Sequence, residues 1–114
     1  MKLKTATEHN GEIVIIEPKG SLVGGEETDE LRNAVAENVE KGNKKLIVDL
    51  GKVTYMNSTA IGALVSAHTS YANRKGKIIL CNVNKNINNI FVVTKLSMIF
   101  QVAETRTDAV LSLT

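Results

Sequence analysis

Two hydroxyl residues stand side by side in the stretch MNSTAIGAL, Ser58 and Thr59, at the entrance of a segment of small residues with helical spacing. A serine at such an entrance is a good N-cap, its oxygen accepting from the N–H of Ala60 or Ile61. The same place suits an anion, because unpaired N–H groups and the positive end of the helix dipole converge there. A phosphate on Ser58 would add about −1.5 to −2 charges without breaking the helix. Ala60, Gly62 and Ala63 are expected to leave the first turn low, so that a partner approaches closely and a phosphate blocks it. Cap and modification site are both open readings of the residues themselves.

Other chemistry is sparse. His9 and His68 are far apart, and no Cys or His lies at metal-ligand spacing from either, so no metal site is expected. His68 is expected beside the inner stripe of its helix, and Cys81 in a buried strand as an inert small hydrophobe. Neither of the two glycine-rich phosphate-loop patterns, GxGxxG and GxxxxGK[ST], occurs. Lys44, Lys45, Arg74, Lys75 and Lys77 flank strand starts and read as solvated helix ends and strand entries. No catalytic residues, no cofactor and no enzymatic activity are expected.

The elements that position the hydroxyl pair follow from periodicity. Residues 3–8 and 12–17 read as strands around His9-Asn10-Gly11, a hairpin signal because Asn and Gly tolerate positive φ. Pro18 ends the second strand for want of an N–H, and residues 20–25 read as a loop. EETDELRNAVAENVEKG is helical, with Leu31, Val35 and Val39 in one stripe beside Ala34, acids in the first turn and Gly42 at the left-handed position after the end. KLIVDL and KIILCNV are continuous apolar runs, as expected of strands covered on both faces. Residues 58–71 read as a helix that buries Ile61, Leu64, Val65 and His68. A weaker helix near 85–95, a short strand around IFQVA and a closing helix TDAVLSLT follow. Strands alternating with helices imply βαβ crossovers and an α/β, mixed sheet whose parallel part is central.

The whole chain sets limits on this picture. Its 114 residues are enough for one core, so residues 1–114 are expected to form a single domain. Hydrophobic residues make up 43% and charged residues 23%, both ordinary for a soluble globular protein. A formal charge of +2 and 4% aromatics offer little to nucleic acid. The start MKLKTATEHN holds no apolar core of a signal, and the longest apolar stretch falls far short of the ~18 residues a membrane span needs. One cysteine cannot form an internal disulfide. A cytoplasmic protein with neither membrane nor nucleic-acid partner is expected.

Taken together, the motifs resemble a known family. An opening strand pair, Gly20-Ser21-Leu22 as G-x-L, a helix, and then IVDL-x-x-V-x-Y-M-N-S-T-x-I-G over residues 47–62 are similar to the STAS domain, and more narrowly to bacterial anti-sigma-factor antagonists. The match continues through KIILCNV, KLSMIF and the terminal TDAVLSL, almost the full chain. The resemblance implies the STAS fold, with a mixed sheet and about four helices. It also implies partner switching: binding to an anti-sigma factor that is a serine kinase, release of a sigma factor, phosphorylation that breaks the complex, and a serine phosphatase that restores it. Carried over, the acceptor falls on Ser58, with Thr59 the adjoining hydroxyl. The partner surface falls on Leu22 of the G-x-L, on Val23 after it, and on Asn57, Ser58, Thr59, Ala60 and Gly62. A monomer or weak dimer is expected. Three positions depart from the pattern: Asn57 and Val23 stand where Asp is usual, and Ala60 where Gly is usual. A non-switching STAS scaffold and a nucleotide-binding STAS domain are the rival readings.

Overall fold

The computed structural model describes residues 3–114. Seven strands and four helices follow in the order β1 (Lys4–Glu8), β2 (Ile13–Glu17), β3 (Lys19–Leu22), α1 (Glu26–Glu40), β4 (Lys45–Asp49), β5 (Lys52–Met56), α2 (Ser58–Asn73), β6 (Lys77–Cys81), α3 (Lys85–Val93), β7 (Gln101–Ala103) and α4 (Arg106–Ser112). A single 3-10 turn, Leu96–Met98, separates α3 from β7. Five strands form one sheet in the order β1-β2-β4-β6-β7. Only the β1–β2 hairpin is antiparallel; β2, β4, β6 and β7 run parallel. The expected mixed sheet with a parallel centre is therefore present, and KLIVDL lies beside KIILCNV with Leu46 opposite Ile78.

The continuous apolar runs are explained by two cores. Val14, Ile16, Leu46, Val48, Ile78 and Leu80 face α1, α2 and α3 on one side of the sheet. Their neighbours Ile13, Ile15, Ile47, Ile79 and Cys81 face Ala109 and Leu113 at the C-terminal helix on the other. Alternate side chains point to opposite faces of a strand, so a strand covered twice shows no polar alternation.

The local signals at turns and helix ends act as expected. His9, Asn10 and Gly11 all take positive φ in the β1–β2 loop. At the end of α1, Gly42 has φ +84, its N–H donates to the Val39 carbonyl, and Asn43 N–H reaches the Asn38 carbonyl. That pair of bonds satisfies the last carbonyls of the helix in a Schellman arrangement.

Two expectations are corrected. Residues 20–25 are not all loop: Lys19–Leu22 is β3, and it pairs in parallel with β5 as a separate two-stranded sheet. Pro18 ends β2, but the chain starts a new ladder one residue later with β5 as partner. Both strands are short and half-exposed, so neither shows a period long enough to read. The buried face of α2 is also rotated from the expected stripe. Ala60, Ala63, Leu64, Ala67 and Tyr71 are buried, whereas Ile61, Val65 and His68 lie at the margin. Ala60, Leu64, Ala67 and Tyr71 belong to the larger core, with Leu31 and Val35 of α1 and the apolar side chains of the sheet. His68 packs edge-on against Phe100, with ring centroids 5.7 Å apart.

Candidate functional site

The hydroxyl pair opens α2, and the structure assigns its cap to a neighbour. Asn57 is the N-cap: its Oδ1 accepts from Ala60 N–H at 3.1 Å, and its carbonyl accepts from Ile61 N–H at 3.0 Å. Ser58 is therefore the first helical residue, not the cap. Asn and Ser are equally good caps, so local preference does not choose between them. Tertiary contacts do. Asn57 Nδ2 donates to the Val23 carbonyl at 3.0 Å, and Asn57 N–H donates to the Leu22 carbonyl at 3.1 Å. One amide side chain thus caps α2 and fastens the β3–α1 loop to it, a double role that a carboxylate, which only accepts, cannot fill.

The loop is shaped to sit against the hydroxyl pair. Gly24 has φ +91, and a Cβ there would come within 3.2 Å of Thr59 Cγ2. A side chain would therefore be both strained and crowded. Gly24 N–H in turn donates to Thr28 Oγ1 at 2.9 Å, which ties the loop to the start of α1. From α1, Arg32 reaches across to the Thr59 carbonyl at 3.5 Å. An open groove of about 420 Å³ runs on from Arg32 between α1 and α2, lined by Ala36, Ala63, Ser66 and Ala67 among others.

The residues singled out in the sequence fall into two groups. Ser58, Thr59, Gly62 and Val23 are exposed, with Val23 at 48%, and Asn57 is partly so. Leu22 and Ala60 are 0% exposed and belong to the larger core; Ala63, expected to be open, is buried as well. Leu22 and Ala60 therefore support the surface from beneath and are not on it. The reason is register: Leu22 ends a strand whose last side chain points inward, and Ala60 lies on the inner face of α2 one turn ahead of Leu64. The Ser58 side chain makes no hydrogen bond among the described residues, and the residue is exposed.

A second cluster went unread in the sequence. Asp49, 3% exposed at the C-terminal end of β4, accepts from Gly51 N–H at 2.9 Å and Asn82 Nδ2 at 3.1 Å through Oδ1. Its Oδ2 receives Arg106 Nε at 3.0 Å and Nη2 at 2.9 Å, and Arg106 also meets Glu17 at 3.3 Å. Burial by itself would raise the Asp49 pKa, but the Gly51, Asn82 and Arg106 donors outweigh it and hold the carboxyl below its ordinary value. A carboxylate inside a buried apolar run announces that partners must exist. Arg106 lies 57 residues away, and nothing local points to it. The cluster binds α4 to the carboxyl ends of β4 and β6, which is a structural task. Cys81 lies in the neighbouring strand; burial, with the Asp49 charge adding to it, pushes its thiol up to about 12, so it is no nucleophile.

Among the described residues no group of three or more His, Cys, Asp or Glu could hold a metal, and no helix is long and apolar enough to cross a membrane.

Comparison with known proteins agrees with this architecture. BtrV of Bordetella bronchiseptica, named as an anti-sigma factor antagonist, is 24% identical over 85 residues, which span 75% of this chain and 73% of that protein. A Thermotoga maritima structure described as an anti-sigma factor antagonist superposes with a TM-score of 0.87 at 21% identity, covering 96% of this chain and 92% of that one. The Bacillus cell fate determinant SpoIIAA in its phosphorylated form gives 0.77 at 18% identity, covering 99% of this chain and all (100%) of that one. The STAS domain model matches residues 4–109, and with that match the chain belongs to the STAS domain family.

Proposed function

We propose that this protein is an anti-sigma-factor antagonist whose binding to an anti-sigma factor is switched by phosphorylation of Ser58. The names of its relatives supply the class of partner, and one of the shared-fold structures is of a phosphorylated form. The observation that carries the switch is the division of labour between Asn57 and Ser58. Because Asn57 caps α2, the Ser58 hydroxyl has no structural duty and stands exposed at the first helical position. It can gain and lose a phosphate without uncapping the helix.

In this reading the unmodified surface formed by Val23, Asn57, Ser58, Thr59 and Gly62 docks on an anti-sigma factor with serine-kinase activity, and the sigma factor is released. The partner transfers a phosphate to Ser58, the new charge must be desolvated at the contact, and the complex breaks. A serine phosphatase resets the surface. The domain itself is a binding partner and performs no catalysis.

The test is capture of the cognate ATP-binding anti-sigma factor by immobilised wild type, Ser58→Ala and Ser58→Asp proteins, with phosphate located by mass spectrometry. Wild type and Ser58→Ala should retain the partner, whereas Ser58→Asp should weaken it at least about tenfold, a loss of roughly 1.4 kcal/mol. Equal capture by all three would replace the switch with a non-switching interaction module.

A further inference from the structure

We propose that Arg32 of α1 is the cation that receives the phosphate on Ser58, so that modification closes a bridge between α1 and α2 within the domain. The inference rests on the reading of Ser58 as the acceptor and adds to it the group that holds the modified state. Among the described residues, Arg32 is the only basic side chain hydrogen-bonded to the first turn of α2, and its acceptor there, the Thr59 carbonyl, is a weak one at 3.5 Å. Asp29 lies one turn earlier on the same helix, yet Arg32 forms no ion pair among the described residues. The guanidinium is exposed and opens onto the groove between α1 and α2, so it has room to turn.

Geometry and charge then act together. Ser58 is the residue immediately before the Thr59 whose carbonyl Arg32 already reaches, and the long, exposed arginine side chain can swing from that carbonyl toward a phosphate one residue earlier. No acidic residue occupies the first turn of α2, whereas α1 carries Glu26, Glu27 and Asp29 in its own. A phosphate on Ser58 would exchange the neutral, long carbonyl contact for a charge-assisted one, and the planar fork of arginine suits two phosphate oxygens at once. The modified state would differ from the free one by a covered first turn as well as by charge. A partner would have to displace Arg32 before it could reach Ser58.

The experiment needs neither kinase nor partner. Phosphoserine is installed biosynthetically at position 58 in the full chain, and the phosphate is titrated by phosphorus NMR in wild type, Arg32→Gln and Arg32→Lys backgrounds. An exposed cation beside the dianion should lower the second phosphate pKa, ordinarily near 6, by about 0.2–0.7 unit in wild type relative to Arg32→Gln. Arg32→Lys should fall between them, since it keeps the charge and loses the fork. Arg32 is exposed, so all three proteins should fold, which amide spectra verify. Coincident titrations in wild type and Arg32→Gln would overturn the bridge. That result would leave the partner-capture test of the Ser58 switch untouched, so the two ideas fail separately.

Discussion

Asn57 Nδ2 lies 3.0 Å from the Val23 carbonyl, a hydrogen bond between residues 34 apart that joins the cap of α2 to the loop after β3. The same side chain holds Ala60 N–H through its oxygen. Both surfaces implied in partner binding are thus positioned by one amide. Asn57→Ala should cost about 0.5–2 kcal/mol as a lost cap. Asn57→Asp keeps the cap and loses the bond to Val23, so it should fall between Ala and wild type. Ser58→Ala should stay within about 0.5 kcal/mol of wild type, as surface changes do. Urea midpoints decide the order, and a larger loss for Ser58→Ala than for Asn57→Ala would return the cap to Ser58.

The rotated face of α2 gives a second ordering. Leu64 is 1% exposed, and Leu64→Ala should cost about 2–5 kcal/mol. Ile61, partly exposed, should lose clearly less on the same truncation. Equal losses at the two positions would mean the helix is seated as its sequence periodicity suggests.

Asp49 should confer a pH dependence on stability. Its folded pKa is depressed, so its contribution is present above the unfolded value near 3.9 and disappears as pH falls through the lower folded value. At pH 7, Asp49→Asn should destabilise by about 1–3 kcal/mol, because Arg106 loses its charged acceptor. On acidification below about pH 4 the gap between wild type and variant should narrow. A gap of constant size between pH 7 and pH 3 would show that Asp49 is not held as an anion.

Cys81 should report on unfolding. With its thiol pushed up to about 12 and no exposed surface, it should resist a thiol reagent at pH 8 in the native protein and react at once in denaturant. Labelling of the native protein at the rate of a free thiol would place Cys81 outside the core.

Val23 and Leu22 should separate binding from folding. Val23 is 48% exposed and Leu22 is 0% exposed. Val23→Ser should leave the unfolding midpoint nearly unchanged and reduce capture of the anti-sigma factor. Leu22→Ala should lower the midpoint through a core loss of about 2–5 kcal/mol. A Val23→Ser protein that binds as wild type does would remove the β3–α1 loop from the interface.

Much of this protein is determined by the order of its residues. Acids at the start of α1 and Gly42 at its end, the positive-φ turn at Asn10-Gly11, and the unbroken apolar runs of β4 and β6 each carry their structure locally. Capping, turn geometry and double-sided burial act over a few residues. The family pattern over residues 47–62 is likewise legible in the sequence, and it marks the first turn of α2. Tertiary structure alone decided the rest. Asn57 and Ser58 are equivalent caps until the Val23 carbonyl, brought in by β3, selects the side chain that can donate as well as accept. The inner face of α2 is set by what α1 and the sheet can accommodate, which favours Ala60, Ala63 and Ala67 over the larger Ile61 and Val65. Strands β3 and β5 exist because each finds the other, Asp49 is stable as an anion because Arg106 arrives from 57 residues away, and Arg32 faces Thr59 only because α1 packs on α2. Such pairings join groups distant in sequence, and no local preference encodes a partner that only the folded chain brings near.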